Sequence, residues 1–166
     1  MIYILDAYNV IHKTPALAAA LDQDLRRARE ALIHLCSEWA GSRGGISKII
    51  LVFDGKSQFR DLPQSSPAKI ELVFSETGEA ADERIVAVME DLGEKAAKCV
   101  VSDDNFVRNQ ARAFKARALS VREFNQNIIG GGTKSKNAKS SSSKRSLSNK
   151  EADEITAAYK RYLGLG

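Results

Sequence analysis

Histidine and cysteine are scarce, two of each in 166 residues, and their scarcity removes whole classes of chemistry. His12 and His34 have no evident nucleophile to serve, so neither a Ser-His-Asp nor a Cys-His system finds support. Cys36 falls in a helical pattern and Cys99 in a strand-like one, without the spacing of a thiolate metal site, so reduced, buried thiols are expected. No apolar run approaches the roughly 20 residues that span a bilayer, and no membrane partner is expected. The chain enters a strand directly at Met1-Ile2-Tyr3-Ile4-Leu5-Asp6 with no basic segment ahead of it, so a secretory signal is not expected and a cytoplasmic location is. Internal repeats are absent. Gly130-Gly131-Gly132 lacks the preceding strand and the Lys-Ser/Thr pair of a phosphate loop, which argues against nucleotide binding.

What is present suits one globular domain with an appendage, the hydrophobic fraction being 43%. The net charge of +4 is unevenly spread. Residues 133–150 hold Lys134, Lys136, Lys139, Lys144, Arg145 and Lys150 with no acid, which leaves a net −2 for the rest. An anionic partner is therefore expected at the tail, where Lys134 and Lys136 could grip RNA without regard to sequence; a merely solubilising linker is the alternative.

Hydrophobic periodicity orders the elements. Residues 1–5 read as a buried strand. Residues 16–40 read as one long helix, with Leu17, Leu21, Leu25, Ala28, Leu32, Leu35 and Trp39 at three- and four-residue spacing, stopped by residues 41–45. Residues 48–53 form a continuous apolar, β-branched run, the mark of a strand buried on both faces. Residues 56–67 carry Pro63 and Pro67 and read as a loop; residues 70–74 follow as a strand and 79–92 as a helix. A strand over 98–101, a helix over 105–115, a strand near 118–121 and a brief helix from Arg122 complete the pattern. Strands alternating with helices predict an α/β fold around a mostly parallel sheet. After Ile129 the composition changes. The expected organisation is a folded domain over 1–129, a flexible Ser/Lys linker over 130–149 and a helical segment over 150–166.

The acids fall where such a fold places ligands. Asp6 follows the first strand, Asp54 the second, and Asp103 lies two residues past Val101. Ligands of parallel α/β sheets bind outside the carboxyl ends of the strands. Asp82, in the first turn of the helix after the third strand, could enter the same crevice. Clustered carboxylates repel one another unless a cation neutralises them, which predicts Mg²⁺ or Mn²⁺ held through carboxylates and retained waters. Such an ion activates water and offsets charge on a phosphodiester. Asn9, three residues past Asp6, offers an amide to position a carboxylate or phosphate. The competing reading is that each aspartate is a turn former or helix N-cap, as Asp104 and Glu79 could also be. Thr77 and Ser102 could bind phosphate or cap helices. Tyr8 could stack on a base but better suits packing. Arg43, Lys56 and Arg60 sit in loops that could flank the site and contact RNA, or could simply be solvated.

The run Asp6-Ala7-Tyr8-Asn9-Val10-Ile11 resembles the D-G-Y-N-V-I opening of the YacP-like NYN domains, a branch of the PIN-like nuclease superfamily. The resemblance continues through Val52-Phe53-Asp54, through Val73-Phe74-Ser75 with Thr77-Gly78-Glu79-Ala80-Ala81-Asp82, and through Val100-Val101-Ser102-Asp103, covering residues 1 to about 128. Ala7 stands where the family has glycine. The resemblance implies a PIN-like three-layer sandwich and a metal-dependent endoribonuclease, with some relatives linked to translation, so the ribosome is a further expected partner. It places Asp6, Asp82 and Asp103 on the family's metal-binding acids and Asp54 and Asn9 near them. Two other readings stand beside it: an RNA- or ribosome-binding module with weak or no catalysis, and a structure-specific DNA nuclease. The sequence leaves the oligomeric state open.

Overall fold

Five strands form one sheet in the computed structural model, which describes residues 1–55 and 66–129 together with Ala157 and Lys160. The strands are β1 (Ile2–Asp6), β2 (Lys48–Phe53), β3 (Ile70–Phe74), β4 (Lys98–Val101) and β5 (Arg117–Leu119). They lie in the order β3-β2-β1-β4-β5, and every neighbouring pair is parallel. A parallel sheet needs crossovers and cover on both faces. Among the described residues that cover comes from α1 (Ala7–Lys13), α2 (Pro15–Gln23), α3 (Leu25–Ser42), α4 (Ala81–Asp91), α5 (Asn105–Ala113) and α6 (Val121–Ile129). The fold is the expected three-layer α/β sandwich, with its sheet wholly parallel.

Because side chains alternate along a strand, each strand feeds two cores. Leu5, Ile49, Leu51, Phe53, Cys99, Val101 and Leu119 pack on one face against Ala28, Leu32, Leu35, Cys36 and Trp39 of α3 and Phe124 and Ile128 of α6. Ile4, Ile50, Val52 and Val100 point the other way, onto Ile85 and Met89 of α4 and Val107 and Ala111 of α5. Both cysteines are free and buried; burial pushes the Cys99 thiol up to about 12 and the Cys36 thiol up as well.

Two local expectations need correction, and one element is new. The helix read over 16–40 is two helices, broken at Asp24, whose backbone is extended (φ −164°, ψ 133°) and whose carboxylate caps α3 by accepting from the Arg26 N–H at 3.1 Å. The apolar stripe hides this break, since Leu17 of α2 and Leu32 of α3 enter the same core. The segment after Asp6 is helical at once, forming α1. The strand read near 118–121 ends at Leu119, and the brief helix read from Arg122 starts at Val121 and runs nine residues. Among the described residues no helix is long and apolar enough to cross a membrane. The linker over 130–149 lies outside the described residues, as does the segment over 150–166 apart from Ala157 and Lys160, which are helical and exposed.

Candidate active site

The strand order sets the place of the site. From β1 the chain moves through β2 to β3 on one side, then crosses to β4 and β5 on the other, so the order reverses between β1 and β4. A crevice opens at such a reversal, at the carboxyl ends of the two strands. Asp6 ends β1 there and caps α1, accepting from the Asn9 N–H at 3.3 Å. Ser102, Asp103 and Asp104 follow β4 into α5. Asp82 arrives on the first turn of α4, which starts at the same edge.

Burial pushes the Asp6 carboxyl above its ordinary range. The Asn9 N–H opposes this, the Asp82 and Asp104 charges add to it, and Lys13 partly offsets it. The Asp82 charge is thus felt at Asp6. Asp103 is engaged differently: its Oδ2 accepts from Lys13 Nζ at 2.8 Å and its Oδ1 from the Val121 N–H at the start of α6 at 2.9 Å. Its neighbour Asp104 caps α5 through the Val107 N–H (3.1 Å) and is the one whose charge reaches Asp6.

The remaining predicted residues divide. Asn9 lies beside Asp6, and its Oδ1 is buried with no hydrogen-bond partner. Asp54 accepts from the Ser75 hydroxyl at 3.5 Å, and Ser75 Oγ in turn accepts from the Gly55 N–H at 2.8 Å. This joins the ends of β2 and β3 so closely that a Cβ on Gly55 would lie 1.8 Å from the Ser75 carbonyl oxygen. Tyr8 is a packing residue: its ring meets Phe53 edge-on and its hydroxyl accepts from the buried Arg29. Ser102 is buried and accepts from the Asp104 N–H at 3.1 Å, while Thr77 is exposed. Arg43 is not brought to the acids. It follows α3, close to where Gly45 meets the Met1 ammonium, at the edge where strands begin; its guanidinium donates to the Asn127 carbonyl at 2.5 Å and lies over the Trp39 ring. Lys56, Arg60, Lys134 and Lys136 lie outside the described residues.

Lys13 and Arg84 escaped the sequence reading. Asp6 as an N-cap was the available signal for Lys13, because it starts a helix whose last turn holds that lysine. Arg84 binds Glu79 at 2.7 Å and Glu76 at 3.4 Å, and Glu83 reaches back to the Ala80 N–H at 3.3 Å, fixing the approach to Asp82. Among the described residues no group of three or more His, Cys, Asp or Glu side chains is arranged to hold a metal ion. A hard cation such as Mg²⁺, however, takes only one or two carboxylates and keeps several waters. Asp6 with Asp82 nearby, and the unpaired oxygen of Asn9, are donors of that kind.

The family model for the YacP-like NYN domain matches residues 3–163. This chain belongs to that family. The match runs past residue 128, where the four motifs stop, and takes in the Ser/Lys segment. The protein named "Uncharacterized protein YacP" of Bacillus subtilis (strain 168) is 26% identical over 110 residues, which are 66% of this chain and 64% of that protein, less than two thirds of its length. The crystal structure of a tryptophan-to-leucine variant of Rae1 (YacP) from Bacillus subtilis superposes with a TM-score of 0.64 at 26% identity, covering 78% of this chain and 76% of that one. A second crystal structure of Rae1 (YacP) gives 0.63 at 24% identity over 79% and 75%, a likeness of fold.

Proposed function

We propose that this protein is a metal-dependent endoribonuclease, with Mg²⁺ or Mn²⁺ held by Asp6 and Asp82 and joined by Asp103 only if its pairing with Lys13 opens, and with the ribosome or translated RNA as the setting in which it acts. The observation that carries this reading is the Asp6 carboxylate, desolvated within reach of the Asp82 and Asp104 charges at the point where the strand order reverses. Groups that are hard to ionise, clustered in a crevice, mark sites built for chemistry rather than for stability. A divalent ion there supplies a reactive water at neutral pH and positive charge for the phosphodiester oxygens.

The chain's own residues then have distinct tasks. Asp6 is oriented by its cap to α1, so its carboxylate is fixed before any ligand arrives. Asp82 rides on a turn braced by Arg84 and Glu83. The Asn9 amide oxygen, which lacks a partner, would accept from the attacking water and so orient it. Lys13, which now pairs with Asp103 at 2.8 Å, would be released to meet a phosphate oxygen if Asp103 turned to hold the ion. Asp54, tied to Ser75, supports the crevice wall.

The test is cleavage of RNA in Mg²⁺ or Mn²⁺ by the full chain and by Asp6→Asn combined with Asp82→Asn. A loss of at least about a hundredfold is expected; equal rates would sink the assignment. The basic run over 133–150 favours a second reading, an RNA-binding module without robust catalysis. Deleting residues 133–166 separates the two, since a pure binder would lose RNA while its acids stay intact. RNA and DNA substrates compared side by side decide between ribonuclease and deoxyribonuclease.

A further inference from the structure

An acidic crevice repels the phosphates it would act on, so a polyanionic substrate needs purchase close by. α5 leaves the same edge as α4, packs on the same face of the sheet, and begins at Asp104, whose charge reaches Asp6. Its sequence, Asn105-Phe106-Val107-Arg108-Asn109-Gln110-Ala111-Arg112-Ala113, contains two arginines and no acid. Val107 and Ala111 face the core, which turns Asn105, Phe106, Asn109 and Arg112 outward and leaves Arg108 half-buried at the margin.

Phe106 stands 47% exposed, and Met1 is the only other large apolar side chain so exposed among the described residues. A single exposed aromatic is ordinary on a protein surface. This one lies two residues past Asp104, on a helix whose outer face is otherwise cationic and amide-bearing. Neither arginine has a carboxylate partner among the described residues; Arg112 touches only the Asn109 amide oxygen, at 3.5 Å. Phe106 and Arg112 are separated by about 9 Å along the helix axis. Aromatic faces stack on any base, and guanidinium groups bind phosphate oxygens, which is how single strands are held without sequence readout.

We propose that the outer face of α5 is a track for single-stranded RNA, with Phe106 stacking one base beside the acidic crevice and Arg108 and Arg112 contacting phosphates of the same strand. The inference rests on the nuclease reading for its substrate class but predicts binding that needs neither metal nor cleavage.

The experiment measures binding of a fluorescent single-stranded RNA to the full chain in EDTA by anisotropy, across a range of salt. Phe106→Ala should weaken binding about tenfold, and Phe106→Trp should restore it. Arg112→Gln should flatten the slope of log affinity against log salt by about 0.7, the change for one phosphate contact to a single strand. Arg27→Gln, an exposed arginine of α3 on the opposite face, should leave affinity and slope unchanged. Because Phe106 and Arg112 are exposed, thermal melts of these variants should match wild type. Wild-type protein that does not bind the strand, Phe106→Ala within twofold of wild type, or Arg112→Gln with an unchanged slope would each overturn the proposal. If Phe106→Ala binds RNA fully in a protein that still cleaves it, this track fails and the nuclease reading stands. If Phe106→Ala loses RNA in a protein that never cleaves, the reverse holds.

Discussion

At the edge where the strands begin, charged groups have partners: the Met1 ammonium donates to the Gly45 carbonyl at 2.9 Å, Lys48 pairs with Glu71 at 2.7 Å, and buried Lys98 donates to the Gly93 carbonyl at 2.5 Å. At the edge where they end, Asp6 is desolvated among other carboxylates and the Asn9 oxygen is buried without a partner. The first edge is built as a folding device would be. The second keeps a carboxylate whose burial the Asn9 N–H and Lys13 only partly offset and an unfilled acceptor, arrangements that lower stability and persist where a ligand completes them. The difference supports the edge where the strands end as the candidate site, independently of any motif.

The largest effect should separate the edges outright. Asp82→Asn is expected to reduce RNA cleavage about a hundredfold, whereas Lys48→Gln, at the other edge, should leave the rate unchanged in the same assay. Similar losses in both would erase the contrast. The next effect concerns stability. Gly55→Ala forces β2 and β3 apart at Ser75 and should cost about 2–3 kcal/mol in urea unfolding, comparable to overpacking a core. Arg43→Ala should cost about 1–2 kcal/mol by removing its bond to the Asn127 carbonyl and its contact with Trp39, with RNA affinity unaltered. A fall in RNA affinity would return Arg43 to the interface that its loop position first suggested.

The smallest effect has the opposite sign. Burial, with Asp82 and Asp104 adding to it, holds the Asp6 carboxyl above the usual range, so the folded protein binds that proton more tightly than the unfolded chain. The stability this contributes is whole below the unfolded value of about 3.9 and is lost as pH rises through the higher folded value. Asp6→Asn keeps the cap acceptor and removes the charge. Its melting temperature in EDTA should exceed that of wild type above this window and match it at pH values below about 3.9. A variant less stable than wild type at neutral pH would show that Asp6 is there for the fold.

Apolar runs made β1 to β4 legible in the sequence, and the bounds of 48–53, 70–74 and 98–101 stand unchanged in the structure, whereas β5, only Arg117–Leu119 with Arg117 exposed, ends short of the strand read near 118–121. The sequence by itself also determined that Asp6, Asp54 and Asp103 sit at strand ends, since a strand's last apolar residue fixes where its turn begins. Helix breaks were less legible: Asp24 interrupts the backbone without interrupting the stripe that packs. Partner choice was decided only in three dimensions. Asp103 and Asp104 are adjacent and chemically identical, yet one binds Lys13, 90 residues away, and the other caps its own helix and acts on Asp6. Arg43 looked free to meet RNA until the fold placed it at the opposite edge, against Asn127, 84 residues on. Periodicity records which side chains leave water, a local property. Which charges then meet depends on the crossovers that carry distant segments to one edge, and the resemblance to the YacP-like NYN domains was legible early because its motifs lie at the strand ends those crossovers bring together.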